Sequence, residues 1–183
     1  MSTDNFNMAQ TSLRVLIPAA KIQDRVRELG RQIDNDYPDG VLLIAILKGA
    51  CFFLADLARS ITRPARLDFM GISSYGKGKT SSGQVKLTRD LDHPIEGADV
   101  LIVEDIVDSG VTLHYLSQVL EQRHPRSLRI VTLLDKPERR QRQVNVSYVG
   151  FQIPDEFVVG YGLDHAELYR NLPDICVLEE AGG

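Results

Sequence analysis

Residues 100–113 read V-L-I-V-E-D-I-V-D-S-G-V-T-L: an apolar run, a pair of carboxylates, a third carboxylate, and then a small, hydroxyl-rich turn. Val100, Leu101, Ile102 and Val103 have the length and branching of a strand buried on both faces, and Ser109, Gly110 and Thr112 introduce a helix expected over Thr112 to Arg123. A strand leading directly into a helix is the unit of an open α/β sheet, whose ligands bind beyond the carboxyl ends of the strands. The turn Asp108, Ser109, Gly110, Val111 and Thr112 offers one phosphate several backbone N–H groups, two hydroxyls and the positive end of a helix dipole. Glu104 and Asp105 would repel a phosphate. Adjacent acidic side chains at a strand end suit the vicinal hydroxyls of a ribose, or a metal ion held near them. The two halves together describe a site for ribose 5-phosphate. A buried strand with a chance acidic end would leave the three carboxylates and the Ser-Gly-x-Thr turn unexplained, and no G-x-x-x-x-G-K-[ST] loop occurs in the chain.

Outward from this stretch, strand and helix patterns alternate. A strand over Leu13 to Ile17 leads through Pro18, at a plausible first helical position, into a helix with Ile22, Val26, Leu29 and Ile33 on one face. Tyr37, Pro38, Asp39 and Gly40 end it. Val41 to Leu47 reads as a buried strand, followed by Lys48-Gly49 and a helix over Ala50 to Ser60. Ala65 to Ser73 is a further strand, with Gln84 to Arg89 as its hairpin partner or neighbour, and Ser127 to Leu134 is the next parallel strand. Helices between apolar strands imply right-handed crossovers and an α/β fold, a mostly parallel sheet with helices on both faces. At 183 residues, without an internal repeat or a splitting linker, the chain is expected to form one domain over 1–183.

Composition bounds the partners. The chain is 43% hydrophobic and 25% charged, the balance of a soluble globular protein. Its net charge of −4 argues against non-specific nucleic-acid binding, which needs a positive surface. Arg139, Arg140 and Arg142 form a local basic cluster that reads as a solvated loop between strands. Cys51 and Cys176 lie in apolar settings with no His or Cys at metal-ligand spacing, and both read as reduced core residues. Met1 to Thr11 is polar and mixed, and no apolar run approaches membrane-spanning length, so a cytoplasmic protein without membrane contact is expected. Ser74 to Gly83, S-Y-G-K-G-K-T-S-S-G, is too small and polar to bury the surface that would order it, and is expected to move when the site is empty.

The segment E-D-I-V-D-S-G-V-T resembles the phosphoribosyl-pyrophosphate motif of type I phosphoribosyltransferases. Leu133-Leu134-Asp135-Lys136-Pro137 and G-F-Q-I-P-D-E-F-V-V-G-Y-G-L-D, Gly150 to Asp164, resemble the hypoxanthine-guanine branch, and the similarity runs from about Leu13 to Leu178. The resemblance implies the type I phosphoribosyltransferase fold with a small hood built from N- and C-terminal segments, mainly 150–178. It implies Mg²⁺-dependent transfer of a phosphoribosyl group from phosphoribosyl pyrophosphate to N9 of a 6-oxopurine, in a homodimer or homotetramer. Glu104 and Asp105 would address the ribose hydroxyls and the metal, and Asp164 would hold metal directly or through water. Asp108 would accept the proton at purine N7, and residues 108–112 would bind the 5′-phosphate. Lys48, Gly49 and Arg170 would bind pyrophosphate, with a cis peptide at the Lys48-Gly49 dipeptide. Lys136 would donate to O6, Phe157 would stack on the ring, and Val158 would contact the base edge through its main chain. The 74–83 segment, with Ser74 and Tyr75, would close as a lid. Alternatives are a relative acting on xanthine or a pyrimidine, and a non-catalytic nucleotide-sensing regulator of the same fold. The intact carboxylate set and the absent basic surface weigh against the regulator.

Overall fold

The computed structural model describes residues 11–74 and 85–180. In chain order the first half comprises β1 (Thr11–Ile17), α1 (Ala19–Asp36), β2 (Val41–Leu47), α2 (Cys51–Ser60), β3 (Ala65–Ser74) and β4 (Val85–Arg89). The second half comprises β5 (Asp99–Val107), α3 (Val111–Glu121), β6 (Ser127–Asp135), a 3-10 turn (Pro137–Arg139), β7 (Tyr148–Gln152), β8 (Val158–Val159) and β9 (Ile175–Glu180).

The main sheet has the order β4-β3-β2-β5-β6-β7, parallel throughout except for β4, which runs antiparallel to β3 at one edge. Successive side chains of a strand face opposite sides, and β2 divides accordingly. Leu43 and Ala45 pack with α1 and α2, whereas Leu42, Ile44 and Ile46 pack on the α3 side. The α1 face holds Ile22, Val26, Leu29 and Ile33, as their spacing predicts, and Phe53, Leu54 and Leu57 of α2 close the same layer. Each such side chain contributes about 1.5–3 kcal/mol by leaving water. Helices therefore cover both faces, and ligands are left the carboxyl ends of the strands.

A second, antiparallel sheet of order β1-β9-β8 joins the N-terminal strand to the C-terminal region. Residues 150–152, read as part of the hood, instead belong to β7, because they pair with β6 in the main sheet. Arg25 of α1 donates to the carbonyls of Val149 and Gly150 at 2.7 and 3.0 Å, satisfying acceptors on that edge strand. Pro18 is extended (φ −71°, ψ 149°) and caps α1 from outside it, so the helix starts one residue later than its first-turn reading. Cys176 is buried, but Cys51 is exposed, which corrects the core reading: it opens α2 on the side turned from the sheet. Among the described residues no helix is long and apolar enough to cross a membrane.

Candidate active site

The ladder of β5 with β6 continues past the apolar run, through Glu104↔Thr132 and Ile106↔Leu134 to Val107↔Asp135. The acid pair therefore lies inside the strand rather than just beyond it, because a parallel neighbour supplies backbone partners up to Val107. Burial is the consequence. It pushes the Glu104 carboxyl well above the usual carboxylate range, with Asp105 adding to the effect, and pushes Asp105 up to about 6 against the opposing pull of the Ile106 amide. Glu104 Oε2 is buried and meets no hydrogen-bond partner among the described residues. Two carboxyl groups are thus held buried at the strand end, and the Arg170 charge opposes the upward shift of Asp105 without cancelling it.

The turn that follows is closed by Gly110 in the left-handed region at φ +77°, and α3 begins at Val111. It lines a cavity of about 170 Å³ together with Glu104, Ser109 and Thr112. The basic cluster is the part of this neighbourhood that sequence reasoning missed. No α-helix joins β6 to β7, and the crossover, irregular after its short 3-10 turn, lies on the 108–112 turn as a strap. The amides of Gln141 and Arg142 donate to Ser109 O at 2.9 and 3.0 Å, while Arg140 donates to Asp108 O at 3.0 Å and pairs with the Asp135 carboxylate. Arg139 reaches Asp108 and Asp155. The expected solvated loop is therefore corrected for Arg139 and Arg140, whose charges find carboxylates and carbonyls that only the crossover brings near. The visible signal was their clustering directly after Asp135 and Lys136.

Lys48 and Gly49 follow β2 at the next strand end. The cis peptide precedes this dipeptide, between Leu47 and Lys48. A Cβ on Gly49 would lie 1.7 Å from Asp105 Oδ2, and one on Gly162 would lie 2.1 Å from Gly49 O. Glycine at both positions lets the acid pair, the Lys48 loop and the 160–163 turn approach backbone to backbone. Lys48 Nζ pairs with Glu167 Oε2 at 2.7 Å. Arg170 donates to Gly162 O and pairs with Asp164 Oδ1, both at 2.7 Å, and its Nε is buried without a partner among the described residues. Glu167 thus links the two cations, meeting Lys48 at 2.7 Å and Arg170 at 3.5 Å, with the Arg170 charge acting on Asp105. Glu167 was not singled out in the sequence.

On the other flank, Lys136 N donates to Val107 O at 2.9 Å, so Asp108 and Lys136 leave adjacent parallel strands side by side. Lys136 is only 7% exposed; its ammonium donates to Glu156 O at 2.7 Å and lies 3.6 Å from Asp155 Oδ1. Phe157 is 54% exposed, the opposite of a core phenylalanine, and meets His165 edge-on at 5.4 Å. Val158 is buried at the start of β8, the edge strand of the smaller sheet, which leaves outer main-chain groups for a ligand. This flank carries an ammonium, a carboxylate, an exposed aromatic face and a strand edge, a set of groups that suits a flat heterocycle with polar edges.

Ser74 ends β3 opposite Val85, and the remainder of the expected lid, with Tyr75, lies outside the described residues. Among the described residues no group of three or more His, Cys, Asp or Glu gathers closely enough to hold a metal by itself. A larger cavity of about 450 Å³ runs between α3, β6 and the 143–147 segment. It has neither the acidic strand end nor the phosphate turn, so chemistry rather than size locates the site.

An acid-ended strand running through a glycine turn into a helix on an α/β sheet is what a phosphoribosyltransferase is built on, and the phosphoribosyl transferase domain family matches residues 18–166. The hypoxanthine-guanine phosphoribosyltransferase of Mycobacterium avium is 53% identical over 172 residues, covering 90% of this chain and 85% of that protein. That of Bacillus subtilis is 52% identical over 169 residues, covering 92% and 94%. A crystal structure of a hypoxanthine phosphoribosyltransferase from Staphylococcus aureus superposes with a TM-score of 0.89 at 45% identity, covering 97% of each chain. The chain belongs to the hypoxanthine-guanine phosphoribosyltransferase family.

Proposed function

We propose that this protein transfers the 5-phosphoribosyl group of phosphoribosyl pyrophosphate to N9 of hypoxanthine or guanine, releasing pyrophosphate. The observation that carries the reading is the β5–β6 register, in which a carboxylate and a buried ammonium stand together at neighbouring strand ends. A 6-oxopurine free base presents an N–H donor at N7 and an acceptor at O6 along one edge. Asp108 accepts the first and Lys136 donates to the second. Phe157 supplies a stacking face and Val158 main-chain contacts. The amides of residues 108–112 and the hydroxyls of Ser109 and Thr112 hold the 5′-phosphate at the start of α3. Lys48, Gly49 and Arg170 receive the pyrophosphate. Glu104 and Asp105 face the ribose hydroxyls.

The reaction passes through an oxocarbenium-like sugar, so the protein's work is to position the reactants and to place charge and a proton acceptor where they are needed. Magnesium fits the donor set, because that ion keeps several waters and takes one or two carboxylates together with substrate oxygens rather than an all-protein cage. The unpartnered buried oxygen of Glu104 is such a donor. Glu104 and Asp105 would hold the ion with the substrate, and Asp164, already engaged by Arg170, would hold it directly or through water. When bound, it would neutralise charge on the departing pyrophosphate.

Pyrophosphate release measured with phosphoribosyl pyrophosphate, Mg²⁺ and a panel of bases tests the reading. Turnover is expected with hypoxanthine and guanine; turnover with a pyrimidine alone, or none with any base, rejects it. A second expectation concerns the phosphate turn. Gly110→Ala puts a Cβ into the left-handed region and 2.5 Å from Arg142 O. It should cost about 1–3 kcal/mol in a urea unfolding series. Because the clash pushes the strap off the turn, KM for phosphoribosyl pyrophosphate should rise more than KM for the base.

A further inference from the structure

Arg139 stands between two carboxylates. Its Nε lies 2.9 Å from Asp108 Oδ1, and its Nη1 lies 3.2 Å from both oxygens of Asp155. Lys136 Nζ approaches the same Asp155 at 3.6 Å. The two groups read above as contacting N7 and O6 are thereby joined, behind the purine edge, through Arg139 and Asp155. The strap carrying Arg139 is itself held on the phosphate turn by Arg140 and by the amides of Gln141 and Arg142. The guanidinium is therefore delivered from a fixed segment rather than from a free loop.

We propose that Arg139 is a positioning residue of the transfer reaction, holding the Asp108 carboxylate by one oxygen so that the other meets the purine N7–H. This rests on the reading of Asp108 as the proton acceptor. In the step itself the N7–H bond breaks and its proton passes to Asp108 Oδ2. The electron pair left on the ring raises the density at N9, whose lone pair forms the bond to C1′. The C1′–O bond breaks, and pyrophosphate leaves with that bond's electrons. Arg139 exchanges no proton. It faces a carboxylate that is anionic before the transfer and neutral after it, and Asp155 remains as its counter-ion once Asp108 is neutral. A carboxyl side chain has a broad terminal torsion, so pinning one oxygen restricts the other to a narrower arc and raises the fraction of encounters in reactive geometry.

Arg139 and Asp108 are both about half exposed, and exposed pairs add little to folding, so variants at Arg139 should fold normally. The test is steady-state transfer to hypoxanthine by Arg139→Gln, Arg139→Lys, Asp108→Asn and the Arg139→Gln/Asp108→Asn double variant, with thermal melts of each. Arg139→Gln is expected to lower kcat by about 10- to 100-fold, the size of effect expected when the ion pair goes and the acceptor is misplaced rather than missing, with KM for phosphoribosyl pyrophosphate and the melting temperature unchanged. Arg139→Lys should recover part of the loss. In the Asp108→Asn background the same change should cost nothing more, since no acceptor remains to be positioned. Wild-type kcat in Arg139→Gln overturns the proposal. So does a full multiplicative loss in the double variant, or a rise in KM for phosphoribosyl pyrophosphate that accounts for the effect. Wild-type turnover in Asp108→Asn removes the reading of Asp108 and this inference with it; an inactive Asp108→Asn beside a fully active Arg139→Gln removes this inference alone.

Discussion

Asp108→Asn should abolish most turnover, lowering kcat by about 10²- to 10⁴-fold, the usual contribution of a positioned general base, while KM for phosphoribosyl pyrophosphate stays close to that of the unaltered protein. The substitution keeps the shape of the side chain and removes the oxygen that can take a proton. The phosphate turn does not depend on that oxygen. It is held through the main chain, by Arg140 on Asp108 O and by the Gln141 and Arg142 amides on Ser109 O, and an asparagine retains all of these contacts. Binding and proton acceptance therefore separate at one residue. Equal losses in kcat and in affinity for phosphoribosyl pyrophosphate would assign Asp108 to the cradle and not to the chemistry.

Lys136→Met should lower kcat/KM for hypoxanthine and guanine by about 10- to 100-fold, corresponding to a lost buried hydrogen bond of ~1–3 kcal/mol, without weakening phosphoribosyl pyrophosphate alone. Methionine retains much of the stem's packing at a position that is 7% exposed and removes the charge. The same ammonium should also decide the choice of base. Adenine carries an amino donor where a 6-oxopurine carries an acceptor, so Lys136 and the base would present two donors to each other, and adenine should be a very poor substrate. Competition between adenine and hypoxanthine at limiting phosphoribosyl pyrophosphate measures this directly. Comparable turnover of the two bases would remove Lys136 from specificity.

The two substitutions probe residues of different legibility. Asp108 stood out in the chain because everything that makes it informative is contiguous: an apolar run that reads as an inner strand, an acid pair, and a small, hydroxyl-rich turn before a helix. Lys136 is locally a lysine before a proline. Its importance comes from the β5–β6 register, which sets Asp135 opposite Val107 and so brings Lys136 beside Asp108. Phe157 was equally ambiguous, since an aromatic in F-V-V-G reads as core, and only the tertiary structure shows it exposed. The resemblance to a known family supplied both roles in advance of geometry.

By itself the sequence determined the α/β alternation, the buried faces of α1 and β2, and the acidic end of β5 with the turn that follows it. These follow from periodicity and from residue types within a few positions of one another, where backbone geometry alone dictates which side chains share a face. The tertiary structure decided the rest. It turned Arg139 and Arg140 from a solvated cluster into a strap over the 108–112 turn, put Glu167 between Lys48 and Arg170, set Asp155 beside Lys136 and Arg139, and left Cys51 exposed. Each of these depends on the meeting of segments far apart in the chain. A charge cannot show from its neighbours in sequence which opposite charge it will meet, because strand register and the path of the crossover, not local propensity, set that distance.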